Sequence, residues 1–311
     1  NDVSRFLQST TAWAAEAADL RQQISDYFGA SGANIELLCT ENNSDAGAQG
    51  RQSTSLVNGL YYADSLARLM QTEFNGFVWW DLRNGTDTSG CFDATLYGWR
   101  NYGDLGMING LNTRHPAFYA AKLMRYFVQP GDSILPASSD YSLLAAYAAR
   151  QANGALSLLV INKNTFTNLA GRIALTGFAP DSTAILRSYG IPQDEAARTN
   201  GAAPAQDLAL TNVLSVDTNF NFTFPPLSLT LFTLAPAAPR LTVEGPPARP
   251  GDQFVVQIHG QSGARYLLQT STNLRAWTTV STNTLTGGAL AVTNQISSAA
   301  PTTFWRAFWQ P

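Results

Sequence analysis

The chain has 311 residues, of which 45% are hydrophobic and only 13% charged, and its net charge at pH 7 is −3. This length predicts two or three domains with ample apolar residues for their cores. The weak negative charge excludes a basic surface that would attract nucleic acid, and no apolar run reaches the ~18 residues of a membrane span. We therefore expect neither a nucleic acid nor a membrane as partner, and the neutral polar residues favour an extracellular β-rich protein.

Few side chains in the sequence suit metal binding. Cys39 and Cys91 are too few for a structural zinc site or a disulfide framework. A single bridge between them and a pair of free thiols are both compatible with the sequence. His115 and His259 lie far apart without metal-ligand spacing, so packing or surface roles are expected for both. We predict no metal and no organic cofactor.

Residues 1–132 mix helical and strand patterns. Helices are predicted at 12–28, 53–71 and 117–127, and short apolar strands at 35–40 and 76–80. This alternation predicts an α/β unit with a parallel sheet or barrel. A complete (β/α)8 barrel needs roughly 250 residues. We therefore interpret this segment as the C-terminal portion of a catalytic barrel and expect further barrel units upstream of Asn1.

The rest of the chain predicts two β-rich domains. Strand-like runs at 141–149, 155–162, 172–176, 183–189, 220–224 and 227–234 predict an antiparallel β-sandwich over 133–236, and the polar stretch 191–206 reads as a surface loop. A Pro-Ala-Ala-Pro linker follows at 236–239. Strands at 254–258, 266–270, 277–281 and 303–308 predict a small all-β module over 240–311, with Tyr266, Trp277, Phe304 and Trp305 as its aromatic core.

Glu41 is the first candidate for chemistry. It follows the apolar run 35–40 and is flanked by Thr40, Asn42 and Asn43. Functional groups of parallel α/β barrels collect where strands end. We expect its polar neighbours to donate hydrogen bonds to the carboxylate, and an ionised carboxylate at that edge can attack an anomeric carbon. A solvated loop glutamate is the alternative interpretation.

The second predicted strand also ends in polar and aromatic residues. Trp79, Trp80, Asp81 and Arg83 follow one another there. Sugar rings stack their C–H faces on aromatic rings, and their hydroxyl groups bond carboxylates and guanidinium groups. Because successive side chains of a strand point to opposite faces, one of the two tryptophans should face the barrel interior. Packing of both rings under the helices is the alternative.

Three blocks carry a family resemblance: NIELLCTENNSD, QSTSLVNGLYYADSLARLMQTEF and NGFVWWDLRNG. They resemble the seventh and eighth βα units of clan A glycoside hydrolases, and α-L-arabinofuranosidase-like enzymes in particular. The resemblance implies that Glu41 is the catalytic nucleophile, with Thr40 and Asn43 matching its usual neighbours. Asn42 stands where an aromatic residue is usual. By the same resemblance, either Trp79 or Trp80 forms the floor of the sugar subsite.

The substrate-binding residues implied at this site share its two strand ends: they are Asn42, Asn43, Trp79, Trp80, Asp81 and Arg83. A retaining glycosidase needs a second carboxyl group about 5 Å from the first. In clan A this is a glutamate on the fourth strand, so the resemblance places it in a missing N-terminal barrel half, in the same precursor or as a separate chain. Asp81 and Glu73 are the alternatives within this chain.

The expected function is hydrolysis of a plant-type polysaccharide or oligosaccharide, with α-L-arabinofuranosidase favoured and this chain inactive alone. An endo-xylanase or endo-glucanase of the same clan and a non-catalytic carbohydrate-binding protein remain alternatives. The last module resembles C-terminal β-modules of secreted bacterial proteins, in which Trp305 and Trp309 either bind glycans or form the module's core and contacts. We expect a secreted or cell-surface location in a bacterium.

Overall fold

The computed structural model describes residues 2–46, 50–88, 96–199, 207–244, 253–295 and 302–311 of the chain. Its first part contains the helices α1 (Val3–Gln8), α2 (Trp13–Phe28), α3 (Leu56–Leu69) and α4 (Pro116–Phe127), with the strands β1 (Leu37–Asn42) and β2 (Phe74–Trp79). Strands β1 and β2 pair in parallel, from Leu37 opposite Phe74 to Asn42 opposite Trp79. The predicted parallel pairing is confirmed. No helix within the described ranges is long and apolar enough to cross a membrane.

Local signals in the sequence explain where the helices begin and end. The side chain of Ser55 accepts a hydrogen bond from the Asn58 amide and caps α3. Pro116 occupies the first turn of α4, where its missing N–H has no helical partner to lose. Helix α2 ends at Gly29, whose φ of 54° lies in the region that glycine tolerates best.

The second part of the chain forms two facing sheets. Its elements are β3 (Ser133–Leu135), β4 (Leu144–Arg150), β5 (Leu156–Asn162), β6 (Leu169–Ala174), β7 (Pro180–Tyr189), α5 (Ile191–Thr199), β8 (Ala209–Leu214), β9 (Asn219–Phe224) and β10 (Ser228–Pro236). The larger sheet has the order β3-β4-β5-β10-β7-β8, and β6 pairs with β9 in the smaller one. Phe220, Phe224 and Phe232 lie in the apolar core between the two sheets.

The last part of the chain is a small module of two three-stranded sheets. Its strands are β11 (Arg240–Glu244), β12 (Gln253–His259), β13 (Arg265–Ser271), β14 (Thr278–Thr284), β15 (Ala289–Gln295) and β16 (Phe304–Trp309). The sheet orders are β11-β12-β15 and β14-β13-β16. Trp309 donates a hydrogen bond from Nε1 to the Asn153 carbonyl at 2.8 Å, which attaches the module to the second part.

The predicted aromatic core of the module is correct for Tyr266 and Trp305 and wrong for Phe304 and Trp277. Tyr266 is fully buried and Trp305 packs against the core. Phe304 is 37% exposed, because alternation along β16 turns it to the opposite face from Trp305. Trp277 precedes β14 and stacks instead on the Arg306 guanidinium, which lies 4.2 Å from the ring centroid.

The surface loop predicted at 191–206 is wrong for residues 191–199, which form α5. The segment has Pro192 in its first turn and then a run of good helix formers. Asp194 is fully buried because its carboxylate pairs with Arg100 at 2.7 Å. A single polar stretch does not reveal such a distant partner, so the sequence pattern favoured a loop. Residues 200–206 lie outside the described ranges.

Helices α3 and α4 pack on the outer face of the six-stranded sheet. Leu60 and Leu123 of these helices share one apolar core with Tyr147, Leu159 and Leu231 of the sheet, and all five are buried. The first and second parts of the chain are therefore joined by a continuous hydrophobic interface.

An ion pair with no exposed atoms crosses this interface. Lys163 follows β5, and its Nζ lies 2.5 Å from Asp64 Oδ2 on α3 and 3.1 Å from the Leu7 carbonyl. Tyr147 donates to the other carboxylate oxygen at 2.6 Å, and Thr10 donates to Oδ2. Burial lowers the pKa of Lys163, and the Asp64 carboxylate opposes that shift. Removing one partner of such a pair would leave the other charge buried without a counter-charge, which destabilises the fold.

The loop between β2 and α4 folds back along the end of β2. Asp81 donates from its amide to the Leu105 carbonyl at 3.2 Å, and Met107 donates to the Asp81 carbonyl at 2.9 Å. Buried His115 closes the loop: its Nδ1 lies 2.7 Å from the Gly106 carbonyl and its Nε2 lies 3.1 Å from Tyr102 Oη. The carbonyl can only accept, so Nδ1 carries the proton and Nε2 accepts from Tyr102.

We predict that replacing Asp64 by Ala will lower the free energy of unfolding by about 3 to 5 kcal/mol, because Lys163 would stay buried without its counter-charge. Removing both charges, with Asp64→Leu and Lys163→Met, should cost less than Asp64→Ala alone. Urea unfolding of the three proteins measures both changes. A loss below about 1 kcal/mol in Asp64→Ala would show that the pair is not essential to the interface.

The burial of His115 predicts that the stability of the fold depends on pH. Burial lowers its pKa from 6.5 to about 4, so between these values the unfolded chain binds a proton that the folded chain does not. Stability should therefore fall as pH falls from about 6.5 to about 4, by about 2 to 3 kcal/mol at pH 4.5 for this one group. Urea unfolding at pH 7 and 4.5 should show a smaller loss for His115→Gln than for the wild type. Equal losses in the two proteins would contradict the buried neutral imidazole.

Candidate active site

The two parallel strands end at one edge of their sheet. Asn42 lies opposite Trp79, and the Trp80 amide donates to the Asn42 carbonyl at 3.0 Å. Glu41 directly precedes Asn42 and Trp80 directly follows Trp79, so both lie at this edge of the sheet. The structure brings together the two polar strand ends that the sequence singled out.

Asn43 joins these ends to the helix layer. Its Nδ2 donates to the Trp80 carbonyl and, at 3.1 Å, to the Leu105 carbonyl. Its Oδ1 accepts from the Ser44 amide at 2.7 Å and from Asn58 Nδ2 on α3 at 3.2 Å. Both donors and the acceptor are thus engaged within the protein. Asn43 positions the strand ends, and its contact with substrate stays a prediction.

Strand β1 contains a bulge at Glu41. The register shifts between Cys39 and Asn42, so β1 has one more residue there than β2. Asn42 turns its side chain to α3, where Nδ2 donates to Tyr61 Oη at 3.3 Å. Glu41, the residue before it, is exposed to solvent. Asn42 itself lies on the helix side, and its role in binding substrate stays a prediction.

The Glu41 side chain is exposed. We expected hydrogen bonds from polar neighbours to hold its carboxylate. No such bond is present among the residues that the structure describes, since Asn42 and Asn43 direct their amide groups elsewhere. Glu41 is therefore free to meet a ligand.

The two tryptophans face opposite sides. Trp79 packs on the helix side, edge-on against Tyr62 with 5.0 Å between the ring centroids and near Phe77 at 6.4 Å. Trp80 is 47% exposed. The peptide bond between Trp80 and Asp81 is cis. Of the two rings named from the sequence, Trp80 is therefore the one that is accessible to a ligand.

Two carboxyl groups lie in the chain that follows β2. Asp81 is half-buried, its Oδ1 has no hydrogen-bond partner among the described residues, and burial raises its pKa. Asp104 is fully buried; its Oδ1 accepts from the Gly106 amide at 2.8 Å, while its Oδ2 has no partner within the described part of the chain. Burial raises the pKa of Asp104, and the charge of Asp81 raises it further. Sequence reasoning missed Asp104, because it lies in an irregular loop without any periodic pattern.

Arg83 is tied to the loop that follows β2. Its Nη1 donates to the Asn109 carbonyl at 3.0 Å, and its Nη2 donates to Asn112 Oδ1 at 2.7 Å. These bonds hold the guanidinium at the loop. The predicted contact between Arg83 and substrate is untested.

Helix α5 supports the same loop from the second part of the chain. Arg100 donates to the Gly98 carbonyl at 2.6 Å and pairs with the buried Asp194 carboxylate. Tyr97 donates to Glu195 from its hydroxyl group. The strand ends are thus backed by a loop that α5 holds in place.

The remaining titratable candidates lie elsewhere or outside the described residues. Glu73 precedes β2 and pairs with Arg21 at 2.6 Å, at the opposite end of the strand from Trp79. Cys39 is half-buried and forms no disulfide with any residue that the structure describes, and burial raises the pKa of its thiol. Cys91 lies outside the described residues, so a bridge to Cys39 stays a prediction. Within the described ranges, no group of three or more His, Cys, Asp or Glu side chains could hold a metal ion.

Sequence comparisons give no relative for this chain. No protein-family model matches it. No curated protein matches it either.

Solved structures share its fold. An α-L-arabinofuranosidase from Thermotoga maritima aligns with a TM-score of 0.54 and 16% identity over 75% of this chain and 50% of that one. A monomeric beta-xylosidase from Caulobacter crescentus aligns with a TM-score of 0.50 and 15% identity over 71% of this chain and 49% of that one. The chain spans about half the length of these proteins. The shared fold therefore covers 71% to 75% of this chain and about half of each glycoside hydrolase.

Proposed function

We propose that this chain is the C-terminal part of a retaining glycoside hydrolase for plant-type polysaccharides or oligosaccharides, with Glu41 as its nucleophile. One observation carries the proposal. Glu41 is exposed near the end of β1, and the half-exposed Trp80 follows β2 and donates from its amide to the Asn42 carbonyl. A carboxylate beside an exposed aromatic ring at the carboxyl edge of parallel strands suits attack on a sugar that stacks on that ring.

The proposed reaction has two steps. In the first, the Glu41 carboxylate forms a bond to the anomeric carbon while a second carboxyl group gives its proton to the departing glycosidic oxygen. In the second, that group takes a proton from water, the water oxygen attacks the anomeric carbon, and the bond to Glu41 breaks. Of the in-chain alternatives, Glu73 lies at the far end of β2, and Asp81 suits a contact with a substrate hydroxyl group better than the second role.

The open face of the two-stranded sheet supports an acid/base group outside this chain. Leu38 and Val78 are 56% and 53% exposed on the face that carries Trp80. Parallel strands are normally buried on both faces, since the rest of a barrel or a helix layer covers them. We propose that a missing N-terminal barrel half covers this face and brings the acid/base glutamate, from the same precursor or as a separate chain. The chain alone would then be inactive.

α-L-Arabinofuranosidase is the favoured activity, and endo-xylanase or endo-glucanase of the same clan is the alternative. The shared fold with an enzyme of the first name supports this preference. The loops that decide between exo and endo action belong to the covering half under this proposal. A secreted or cell-surface location in a bacterium completes the proposal, because it is where plant polysaccharides are met.

We predict that Glu41→Gln will lower kcat of the enzyme that contains both barrel halves by about 10³-fold or more, because the covalent step would be lost. Glu36→Gln, at an exposed glutamate before β1, is the matched control and should leave kcat unchanged. Release of nitrophenol from aryl arabinofuranoside and aryl xyloside measures both the rate and the preferred sugar.

Azide separates a nucleophile from a positioning residue. In Glu41→Ala, azide should restore turnover and give a glycosyl azide of inverted configuration, because the small anion attacks from the side that the carboxylate leaves empty. Full activity in Glu41→Gln would refute the assignment. Carbohydrate binding without turnover in the wild type would favour a non-catalytic binding protein.

A further inference from the structure

The two three-stranded sheets of the last module share one apolar core, so each sheet has an inner and an outer face. Trp305 and Trp309, the two rings named from the sequence, lie on the inner face of β16 and pack against that core. Alternation along β16 turns Phe304 and Phe308 outward, and each keeps 37% of its surface exposed. The rings of β16 that a ligand can reach are therefore the two phenylalanines.

Arg306 lies between these phenylalanines on the same outer face and is held in place there. Its Nε and Nη2 donate to Gln269 Oε1 on β13 at 3.0 and 2.7 Å. Its guanidinium lies 4.2 Å from the centroid of the Trp277 ring and 5.4 Å from that of Phe308. Gln269 is fixed in turn, because its Nε2 donates to Thr279 Oγ1 on β14 at 3.0 Å. A guanidinium ordered in this way loses little conformational entropy when it binds a ligand.

The loop between β13 and β14 fixes the Trp277 ring. Ser271 Oγ accepts from the Asn273 and Leu274 amides at 3.2 and 2.9 Å. Asn273 Oδ1 accepts from the two amides after Leu274, both at 2.9 Å. Trp277 itself donates from Nε1 to the Leu274 carbonyl at 3.2 Å. We call the surface that these ordered side chains form the aromatic face, which consists of Trp277, Phe304, Arg306 and Phe308.

The module differs from the rest of the chain in the sign of its charge. Of the 19 basic and 22 acidic residues of the chain, five and two lie in residues 240–311, so these have a formal net charge of +3 and residues 1–239 one of −6. Strands β13, β14 and β16 contain two arginines and no acidic residue. Glu244 is the one acidic residue of the module within the described ranges, and it lies in β11 of the other sheet. The aromatic face therefore favours a ligand with negative charge.

The remaining donors of Arg306 indicate which charged group fits. A guanidinium has five N–H groups, and the two bonds to Gln269 leave three of them, on Nη1 and Nη2, without a partner among the described residues. Neighbouring N–H groups of this kind match the two oxygens of a carboxylate. The exposed rings suit the apolar C–H faces of sugars. Phe304 and Phe308 lie four residues apart on one strand, or about 13 Å, so two sugar rings of one chain can stack on them at once.

We propose that the aromatic face binds a polysaccharide that carries uronic acids. A sugar carboxylate would accept from Nη1 and Nη2 of Arg306, while other rings of the same chain stack on Phe304 and Phe308. Since the module is attached to the second part through Trp309, this binding would hold the whole chain at an acidic polymer. The proposal concerns binding alone and does not rest on Glu41, so its failure and the failure of the proposed activity are distinguishable.

The test measures binding of this chain to two acidic polymers, polygalacturonate and a xylan that carries glucuronic acid. Each polymer after reduction of its carboxyl groups to alcohols is the matched neutral control. Isothermal titration calorimetry at low salt should show that at least one acidic polymer binds about tenfold or more tightly than its reduced form, which corresponds to about 1.4 kcal/mol. The affinity should fall as salt is added, because exposed ion pairs are screened.

Two pairs of variants locate the binding site. Arg306→Gln removes the guanidinium and should weaken binding of the acidic polymer about tenfold or more. Arg240→Gln is its matched control, because it removes an exposed arginine of the other sheet, and it should leave the affinity unchanged. Phe304→Ala should weaken binding about threefold or more through lost stacking. Phe166→Ala, at a phenylalanine that is 89% exposed outside the module, should have no effect. All four side chains are exposed, so thermal unfolding should show that each variant keeps its fold.

Five results would overturn the proposal. Absence of binding to both acidic polymers would remove the uronic acid ligand. Equal affinity for the acidic and reduced polymers would make the aromatic face a site for neutral glycans. Equal affinity for polyglutamate, which has carboxylates but no sugar rings, would make it a non-specific patch of positive charge. Adsorption to vesicles that contain phosphatidylglycerol, without binding to either polymer, would make a membrane surface the partner. Unchanged affinity in Arg306→Gln would place the binding site elsewhere on the chain.

Discussion

The structure depends on one helix layer, formed by α3 and α4, that packs against both the two-stranded parallel sheet and the six-stranded sheet. Helix α3 contacts β2 on one side, while α3 and α4 share a buried core with the outer face of the six-stranded sheet. The Asp64–Lys163 pair pins that interface at a point that water does not reach. Loss of either charge would leave the other buried and unpaired. The pair therefore favours one relative placement of α3 and the end of β5. The orientation of the strand ends follows from that placement.

The candidate site takes its rigidity from the β-rich part of the chain. Asn58 on α3 holds Asn43, which in turn holds the ends of β1 and β2. On the other side, α5 pairs Asp194 with Arg100 in the loop after β2. The second part thus acts as a support for the proposed active site, although none of its side chains needs to touch a substrate. Preorganised groups of this kind are what a nucleophile requires.

The sequence predicted the frame of the site better than its details. Apolar runs followed by polar residues located the ends of β1 and β2 correctly, since strand period and turn residues are local signals. The same reasoning could not choose between Trp79 and Trp80. The bulge at the end of β1, next to Glu41, lies outside any periodic pattern. Such a shift depends on the register with the neighbouring strand, which is a tertiary property.

Buried polar residues were the main source of error. Asp104 lies in an irregular loop, and its burial arises from the fold of residues far along the chain. Asp194 made residues 191–199 look like a solvated loop, whereas its partner Arg100 buries it in α5. The sequence around Lys163 does not indicate that this residue is buried against α1 and α3. In each case a charge suggests solvent locally, and only a partner distant in sequence reverses that expectation.

The central claim is that Glu41 forms the covalent bond to the sugar. An epoxide or aziridine analogue of the sugar ring alkylates the nucleophile of a retaining glycosidase, and peptide mapping by mass spectrometry identifies the labelled residue. In the enzyme that contains both barrel halves, the account predicts one label, on Glu41. A label on Asp81, or on any other carboxylate while Glu41 stays unmodified, would contradict it.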